Sequence, residues 1–301
     1  MTSPFPKRTA LLVLLVLGVT FGSNHVAARI AFDHGTGLIT AVVARSGVTA
    51  LGLLGVLLWQ GSGLRPPPGS GRWLPVLGLL ISVQSLLLYS AVARIPVALA
   101  LLAFSTFPVL YALVSWAFGG KAPGKRAAGV MLLILFGLSL ALGAPAALGA
   151  VANTGPALAA GVMFAIGAAI TFALALWVTE HRLHKVAGPL RSFTTMSIVG
   201  VVVLVAGLTG VMPGALHWPA DITGWVGLTL LTVLYGTSFS SLFVLMPRLD
   251  MARNAAALNL EPIAVLVMGW LILGQKLTLI QVAGALLVVT GIVLLARRKS
   301  A

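Results

Sequence analysis

The stretch that decides the fold is LNLEPIAVLVMGWLILGQK, which occupies residues 258–276. It is apolar and long enough to cross much of a bilayer, yet a carboxylate and a proline, Glu261 and Pro262, lie close to its middle. A charge in hydrocarbon costs at least ~2.5 kcal/mol on insertion scales, and proline removes one backbone donor from a helix. The rest of the chain must therefore contain whatever offsets these two costs.

The same stretch has a partner earlier in the chain. When residues 88–137 are written above residues 242–291, an offset of 154, several rare residue types coincide. The coinciding pairs are Arg94 with Arg248, Pro108 with Pro262, Trp116 with Trp270, Gly120 with Gly274 and Gly137 with Gly291. Because arginine, proline and tryptophan are scarce here, we interpret the chain as two copies of one unit, residues 1–147 and 148–301.

The composition is that of a membrane protein that crosses the bilayer many times. Of the 301 residues, 59% are hydrophobic and only 8% are charged, whereas a typical soluble domain has about 25% charged residues. At about 20 residues per crossing, we predict an all-α protein with ten transmembrane helices. The predicted spans lie near residues 9–28, 37–59, 73–93, 96–118, 127–143, 156–179, 189–211, 223–246, 252–273 and 277–296. The first span also resembles a cleavable signal peptide, but cleavage would leave nine spans and break the repeat.

The distribution of positive charge predicts the topology. With these spans, fifteen of the nineteen Lys and Arg residues fall on one side, three fall on the other, and Arg45 lies within span two. The excess of positive charge places both termini in the cytoplasm. Since five spans per copy is an odd number, the second copy enters the membrane from the opposite side, and the repeat is inverted. This arrangement is typical of secondary transporters, whose substrate site lies at the repeat interface.

Several partners and cofactors are not expected. The net charge of +14 is spread over span ends rather than collected on one face, so nucleic-acid binding is not predicted. The chain has no cysteine, and Glu180, His181 and His184 lie in a basic connector without a second group of ligands. We therefore expect no metal and no cofactor. The expected partners are the lipid bilayer and a small-molecule substrate, with the chain acting as a monomer.

Polar side chains predicted to lie in the membrane are the candidate site residues. Glu261 is the only acid that these boundaries place deep in a span, which makes it a candidate proton carrier or partner of a substrate ammonium. The alternative is a structural carboxylate paired with Arg45 or Gln84. For Arg45, a structural or coupling role is favoured over binding of a substrate carboxylate. Gln84, Asn24 and His25 complete the group, although His25 is expected to be solvated near a span end.

Residues beside the two repeated prolines are further candidates for the substrate pathway. Ser105 and Pro108 of span four correspond to Asn259 and Pro262 of span nine, and carbonyls freed by the prolines can serve a ligand. Close helix packing by small residues is the alternative. Four aromatic residues are predicted to lie deepest, namely Phe21, Tyr111, Phe172 and Tyr235. A cavity built from them would suit a solute with an apolar or aromatic side chain.

Four segments together resemble a known transporter family. They are TFGSNHVAARIA in span one, Arg45 in span two, ALALLAFSTFPVLYALVSWAFGG in span four and the run from Leu258 that ends in GIVLL. They resemble the EamA family of the drug/metabolite transporter superfamily, as two consecutive units over nearly the whole chain. The resemblance implies ten helices, a bacterial inner-membrane location and export of small metabolites, and within the family the chain looks like the YddG-type amino-acid exporters. Where many members carry an acid after the Leu-Gly of span nine, this chain has Gln275.

Three functions compete at this point. The first is a secondary exporter of aromatic or other neutral amino acids, coupled to protons or working by facilitated diffusion. The second is an exchanger of sugar phosphates or nucleotide sugars on the same fold, which would call for several buried cations, whereas only Arg45 is predicted at depth. The third, a membrane-embedded enzyme, needs clustered acids, bases or nucleophiles. With five acids and five histidines scattered along the chain, we expect no enzyme.

Overall fold

The structure is a computed structural model of the 301-residue chain, and it describes residues 5–61, 63–95, 97–120, 124–141, 155–209, 216–249, 261–273 and 278–296. Within these ranges the regular secondary structure is all helical, with eleven helices. They are α1 (Lys7–Asp33), α2 (Leu38–Trp59), α3 (Trp73–Arg94), α4 (Val97–Phe104), α5 (Phe107–Ala117), α6 (Lys125–Ala141), α7 (Gly155–Arg182), α8 (Gly188–Leu208), α9 (Ile222–Leu249), α10 (Glu261–Leu273) and α11 (Leu279–Ala296).

Seven helical segments in the described ranges are long and apolar enough to cross a membrane, one of them made of α4 and α5 together, and two shorter apolar helices, Ala128–Ala141 and Leu279–Gly291, accompany them. The multi-pass character is therefore confirmed, whereas the count of ten crossings stays a prediction. Large apolar side chains lie on the outside of the bundle, among them Leu51 at 69% exposure and Leu132 at 64%. In a bilayer these side chains face lipid, where their exposure carries no penalty.

The first helix is longer than the predicted span, which ended at residue 28. It continues to Asp33 because Arg29, the first charged residue after the apolar run, is satisfied within the fold. Its Nε lies 3.0 Å from the Asp33 carboxylate one turn later, and its Nη1 donates to the Val92 carbonyl of α3 at 3.2 Å. An i,i+4 ion pair and a bond to a neighbouring helix thus extend α1 by about one turn.

The proline of span four interrupts its helix. α4 ends at Phe104 and α5 begins at Phe107, with Pro108 in the first turn of α5. Proline is tolerated there because the first residues of a helix have no intrahelical partner for their N–H groups. Ser105 lies at the break and its hydroxyl donates to the Leu101 carbonyl at 2.7 Å. α4 and α5 together make one span, counted as Leu99–Ala117.

The helices pack in pairs that repeat across the two halves. α1 packs along α9, and its repeat equivalent α7 packs along α3. In the same way α2 contacts α9 while α8 contacts α3, and α1 contacts α10 while α7 contacts α4 and α5. Two helices pack on their own equivalents, α2 on α8 and α6 on α11. Two copies related by a pseudo-two-fold axis produce this pattern.

The α2–α8 contact shows where that axis passes and how it is oriented. A Cβ added to Gly207 would lie 2.7 Å from Ile39, and one added to Gly200 would lie 3.2 Å from the Ser46 hydroxyl, so α2 and α8 run antiparallel. Ser46 and Gly200 are separated by the repeat offset read from the sequence, which means that each faces its own equivalent. Equivalent helices that run antiparallel support an inverted repeat, because an axis in the membrane plane reverses direction.

Glycines bring α6 and α11 together in the same symmetric way. A Cβ on Gly137 would lie 3.0 Å from the Val288 backbone nitrogen, and a Cβ on its equivalent Gly291 would lie 2.5 Å from Ile134. Ile134 and Val288 are also repeat equivalents, so the two contacts are images of each other. The predicted role of these glycines in helix packing agrees with this close approach.

Candidate functional site

A pair of polar side chains connects the two halves of the chain between α1 and α10. His25 Nε2 lies 3.0 Å from the Glu261 Oε1 atom, and the two side chains are 7% and 19% exposed. The sequence suggested Arg45 or Gln84 as the structural partner of Glu261 and a solvated His25, and both expectations are wrong. His25 is buried because α1 continues for about two turns beyond it, so that it lies within the span rather than at its end.

Close approach of the two backbones makes this pair possible. Gly22 lies three residues before His25, and a Cβ at this position would be 2.9 Å from the Glu261 backbone oxygen and 3.1 Å from a Val265 methyl group. Any larger residue would push α1 away from the first turn of α10. Glycine at position 22 therefore brings the imidazole within reach of the carboxylate.

Arg45 is held in the interior by two tyrosine rings. Its side chain is 4% exposed, and its Cζ lies 3.9 Å from the centroid of Tyr235 and 4.5 Å from that of Tyr89. Its Nη2 donates to the Ser85 hydroxyl at 2.7 Å. Cation–π contacts of this kind stabilise a desolvated guanidinium by about 2 kcal/mol each. Arg45 thus has its contacts inside the bundle and does not extend to the membrane surface.

Five side chains form a continuous series of contacts that the sequence did not predict as a unit. His25 meets the edge of Tyr89 at a centroid distance of 6.3 Å, and Arg45 lies over both tyrosines. Tyr235 meets Phe21 at 6.3 Å, and Phe21 lies one turn before His25 on α1. The five side chains of this series come from α1, α2, α3 and α9.

Tyr89 is the member that sequence analysis missed. It is fully buried, and its ring also packs on Phe32 at 5.6 Å. A signal existed, because the chain has only three tyrosines and Tyr89 is spaced four residues from Ser85, so that both lie on one face of α3. Gln84, a predicted site residue, belongs to the same region, since its Oε1 accepts a hydrogen bond from Ser85 at 3.4 Å.

This series of side chains and its neighbours contain buried polar atoms without a partner among the described residues. They are both amide atoms of Asn24, Nδ1 of His25, Nε of Arg45 and the hydroxyl of Tyr89. Each unsatisfied buried group costs about 1–3 kcal/mol, so a cluster of them indicates bound water or a ligand. We call Asn24, His25, Arg45, Tyr89 and Glu261 the polar cluster.

A second group of predicted residues lies at the equivalent contact of the other half, where α4 and α5 meet α7. Phe172 of α7 packs on Phe104 and Phe107, at centroid distances of 5.4 and 5.0 Å. We call these three rings the aromatic cluster. Ser105 lies between the first and the second helix of this span, with its hydroxyl bonded to its own helix. Phe172 and Ser105 thus belong to this contact.

Tyr111 lies nearer a membrane surface than predicted. Its hydroxyl donates to the carboxylate of Glu180, an exposed residue two positions before the end of α7. The expectation that Tyr111 belongs to the deepest aromatic residues is wrong because α5 and α7 bring it to the polar end of α7. Asn259 lies outside the described residues. Pro262 occupies the first turn of α10, and its side chain is likewise not described.

On the outer side of the predicted topology, the loop after α1 is joined to the loop before α9. His34 Nδ1 lies 2.7 Å from the Asp221 carboxylate, and the Ala220 N–H donates to the His34 carbonyl at 3.0 Å. The Gly224 N–H donates to Asp221, and together with the neighbouring His34 it holds the pKa of Asp221 below its ordinary value. This contact links the two halves at one membrane surface.

The helical repeats and the buried polar cluster at their junction define a multi-pass membrane transporter. The chain belongs to the EamA-like transporter family, whose model matches it twice, at residues 8–143 and 159–297. One solved crystal structure superposes with a TM-score of 0.72 over 97% of this chain and 100% of its own length, at 19% identity, which shows a shared fold. A comparison with curated proteins finds no significant match.

Proposed function

We propose that this protein is a secondary transporter of the YddG type that exports aromatic and other neutral amino acids across the bacterial inner membrane by alternating access. Its termini lie in the cytoplasm, and ten spans form two inverted repeats. The polar cluster is the substrate site, and no enzymatic step takes place there. The family membership supports the transport of small metabolites, and the chemistry of the site supports the narrower substrate class.

The observation that carries the proposal is that a cation, Arg45, and an anion, Glu261, are linked through Tyr89 and His25 at the junction of the two halves. A neutral amino acid is a zwitterion, so its site must offer a cation to the carboxylate and an anion to the ammonium. Arg45 offers the cation, with an Nε–H that has no partner among the described residues. Glu261 offers the anion, and Tyr89 contacts both Arg45 and the histidine paired with Glu261.

The rings around Arg45 supply the apolar part of the site. Tyr89 and Tyr235 lie over the guanidinium, and Tyr235 in turn meets the edge of Phe21 and stacks on Phe239 at a centroid distance of 5.4 Å. A substrate side chain that is aromatic or branched can replace part of these ring contacts. A sugar phosphate would instead require several permanent cations in this region, and among the described residues Arg45 is the one arginine or lysine in this series of contacts.

The test is transport by the purified protein in proteoliposomes. Vesicles loaded with unlabelled L-phenylalanine are diluted into labelled L-phenylalanine, and saturable counterflow is the expected result. Tryptophan and leucine should compete with the label, whereas glucose 6-phosphate should not. Counterflow of a sugar phosphate without counterflow of any amino acid would replace the proposal by an exchanger of anions. The absence of counterflow for every tested amino acid would refute it.

A further inference from the structure

We infer that an amino-acid substrate displaces a proton from His25 when it binds, so that the His25–Glu261 pair couples substrate export to proton entry. This inference rests on the proposed function. In the empty site the imidazolium of His25 pairs with the Glu261 carboxylate. In the loaded site the substrate ammonium takes its place at the same carboxylate, and the histidine becomes neutral.

The geometry favours competition for one carboxylate. The Glu261 side chain is more exposed than that of His25, 19% against 7%, so the carboxylate retains an accessible face while the imidazole is enclosed. The imidazole has no second anchor, since its Nδ1 lacks a hydrogen-bond partner in the part of the chain that the structure describes. A ligand that captures Glu261 therefore leaves the ring without a compensating group.

The surroundings of His25 favour loss of its proton once Glu261 is taken. Among the described residues, the charged and titratable groups that face it are Glu261 from α10 and Tyr89 from α3, with Arg45 and Tyr235 beyond the Tyr89 ring. Arg45 is a permanent cation and disfavours a second positive charge nearby. A buried imidazolium without a counter-ion is expensive, whereas neutral imidazole is not, and imidazole exchanges protons readily near neutral pH.

Charge and atoms balance in this exchange. The empty site holds one imidazolium and one carboxylate, and the loaded site holds one neutral imidazole, one carboxylate and the substrate ammonium. One proton leaves for each zwitterion that binds, and no bond other than N–H is broken. If the proton is picked up outside and released inside, each cycle exports one neutral amino acid and moves one positive charge inward. Export would then respond to both the pH gradient and the membrane potential.

The location of the pair suits a coupling element. His25 belongs to the first repeat and Glu261 to the second, and they meet where Gly22 brings the backbones of α1 and α10 together. Alternating access in such folds moves one repeat against the other around a fixed site. A proton on His25 and a substrate on Glu261 would therefore alternate at the same junction between the two repeats.

The experiment measures proton release from the purified full-length protein in weakly buffered detergent solution, with a pH indicator and parallel binding by calorimetry. L-Phenylalanine should release about one proton per molecule bound at a pH where the pair is protonated. 3-Phenyllactate, which keeps the ring and the carboxylate but has no ammonium, should bind without release. His25→Asn should release no proton for each L-phenylalanine that binds, whatever its affinity, whereas the control His181→Asn should behave as wild type.

A second measurement needs no variant. Proton and substrate exclude each other, so binding is weaker at low pH. The L-phenylalanine Kd of the wild-type protein should therefore fall about tenfold for each unit by which the pH rises, as long as the pair is protonated, and should become constant above that range. Binding without proton release, with a Kd independent of pH, would overturn the inference and leave the transport proposal intact. Equal proton release from His25→Asn and wild type would also overturn it. Failure of every amino acid to bind would refute both.

Discussion

The contact of α1 with α10 and the contact of α7 with α4 and α5 are equivalent under the repeat, yet they carry different chemistry. The offset that aligns the two halves places Phe107 opposite Glu261, and Thr179 opposite His25. One contact therefore holds a carboxylate and an imidazole, and the other holds the packed rings of Phe107 and Phe172. The same helix packing tolerates both.

This difference teaches that the charged pair is not needed to build the fold. If a buried carboxylate were required for α1 to pack on α10, its equivalent would be expected at the other contact, where apolar rings suffice. The carboxylate and the imidazole at the α1–α10 contact therefore call for a role other than helix packing, and the proposed role is binding of the substrate.

The largest expected effect comes from removing the cation of the polar cluster. Arg45→Ala should lower kcat/KM for L-phenylalanine counterflow by about 30-fold or more, because a buried charge partner of the carboxylate is lost. The repeat equivalent of Arg45 is Val199, which is also fully buried. Val199→Ala should leave counterflow within about twofold of wild type, since it removes only apolar volume. Similar losses in both variants would mean that Arg45 acts through packing alone.

A smaller but more selective effect than that of Arg45→Ala is expected at Glu261, in comparison with its repeat equivalent, Phe107. Glu261→Gln should abolish uptake driven by a pH gradient and raise KM about tenfold, because the amide cannot hold the charge of an ammonium or an imidazolium. Counterflow at saturating substrate should persist. Phe107→Leu should preserve the response to the pH gradient. Flux measurements with and without the gradient decide between these outcomes, and a gradient response in Glu261→Gln would remove Glu261 from the coupling.

Removal of a tyrosine hydroxyl should have different effects in the polar cluster and at the contact of α5 with α7. The Tyr89 hydroxyl is buried and has no partner in the described ranges, whereas the Tyr111 hydroxyl donates to Glu180. Tyr89→Phe should raise KM about threefold to tenfold without lowering the thermal unfolding midpoint, since an unsatisfied group is removed when no ligand is bound. Tyr111→Phe should leave KM nearly unchanged. A lower unfolding midpoint for Tyr89→Phe, with an unchanged KM, would indicate a structural hydroxyl.

The smallest effect is expected at the loop contact outside both clusters. The pKa of Asp221 is lowered by the Gly224 N–H and by His34, so its carboxylate stabilises the folded state above its unfolded pKa of about 4. That contribution is lost as the pH falls through the lower folded value. Asp221→Asn should therefore have a slightly lower unfolding midpoint than wild type at pH 5 to 8, and the difference should shrink as the pH falls below about 4. Transport should not change.

The repeat and the helical class could be predicted because they depend on local and compositional features. An apolar run of about 20 residues has few alternatives to a transmembrane helix, and rare residues at a constant offset reveal duplication. Ser46 and Gly200, which face each other at the axis, lie at the offset read from the sequence. The end of α1 was harder to predict, because Arg29 donates a hydrogen bond to a carbonyl of α3 that is distant in the sequence.

The partners within the candidate site could not be predicted in the same way. Glu261 was recognisable from the sequence as a costly charge, but its pairing with His25 depends on the approach of α1 to α10 at Gly22. Arg45 was recognisable too, yet the tyrosines that hold it come from α3 and α9, far away in the chain. Periodicity fixes which residues share a helical face and says nothing about which faces meet.

The sequence by itself determined that this protein is a duplicated helical membrane protein with a carboxylate, an arginine and a histidine in its apolar spans, because hydropathy and repetition are properties of the chain. Only the tertiary structure decided that the carboxylate and the histidine meet at one of two equivalent contacts, that aromatic rings fill the other, and that two tyrosines hold the arginine. Helix packing in lipid is set by small residues and shape over long sequence separations, and those contacts select the partners of each buried charge.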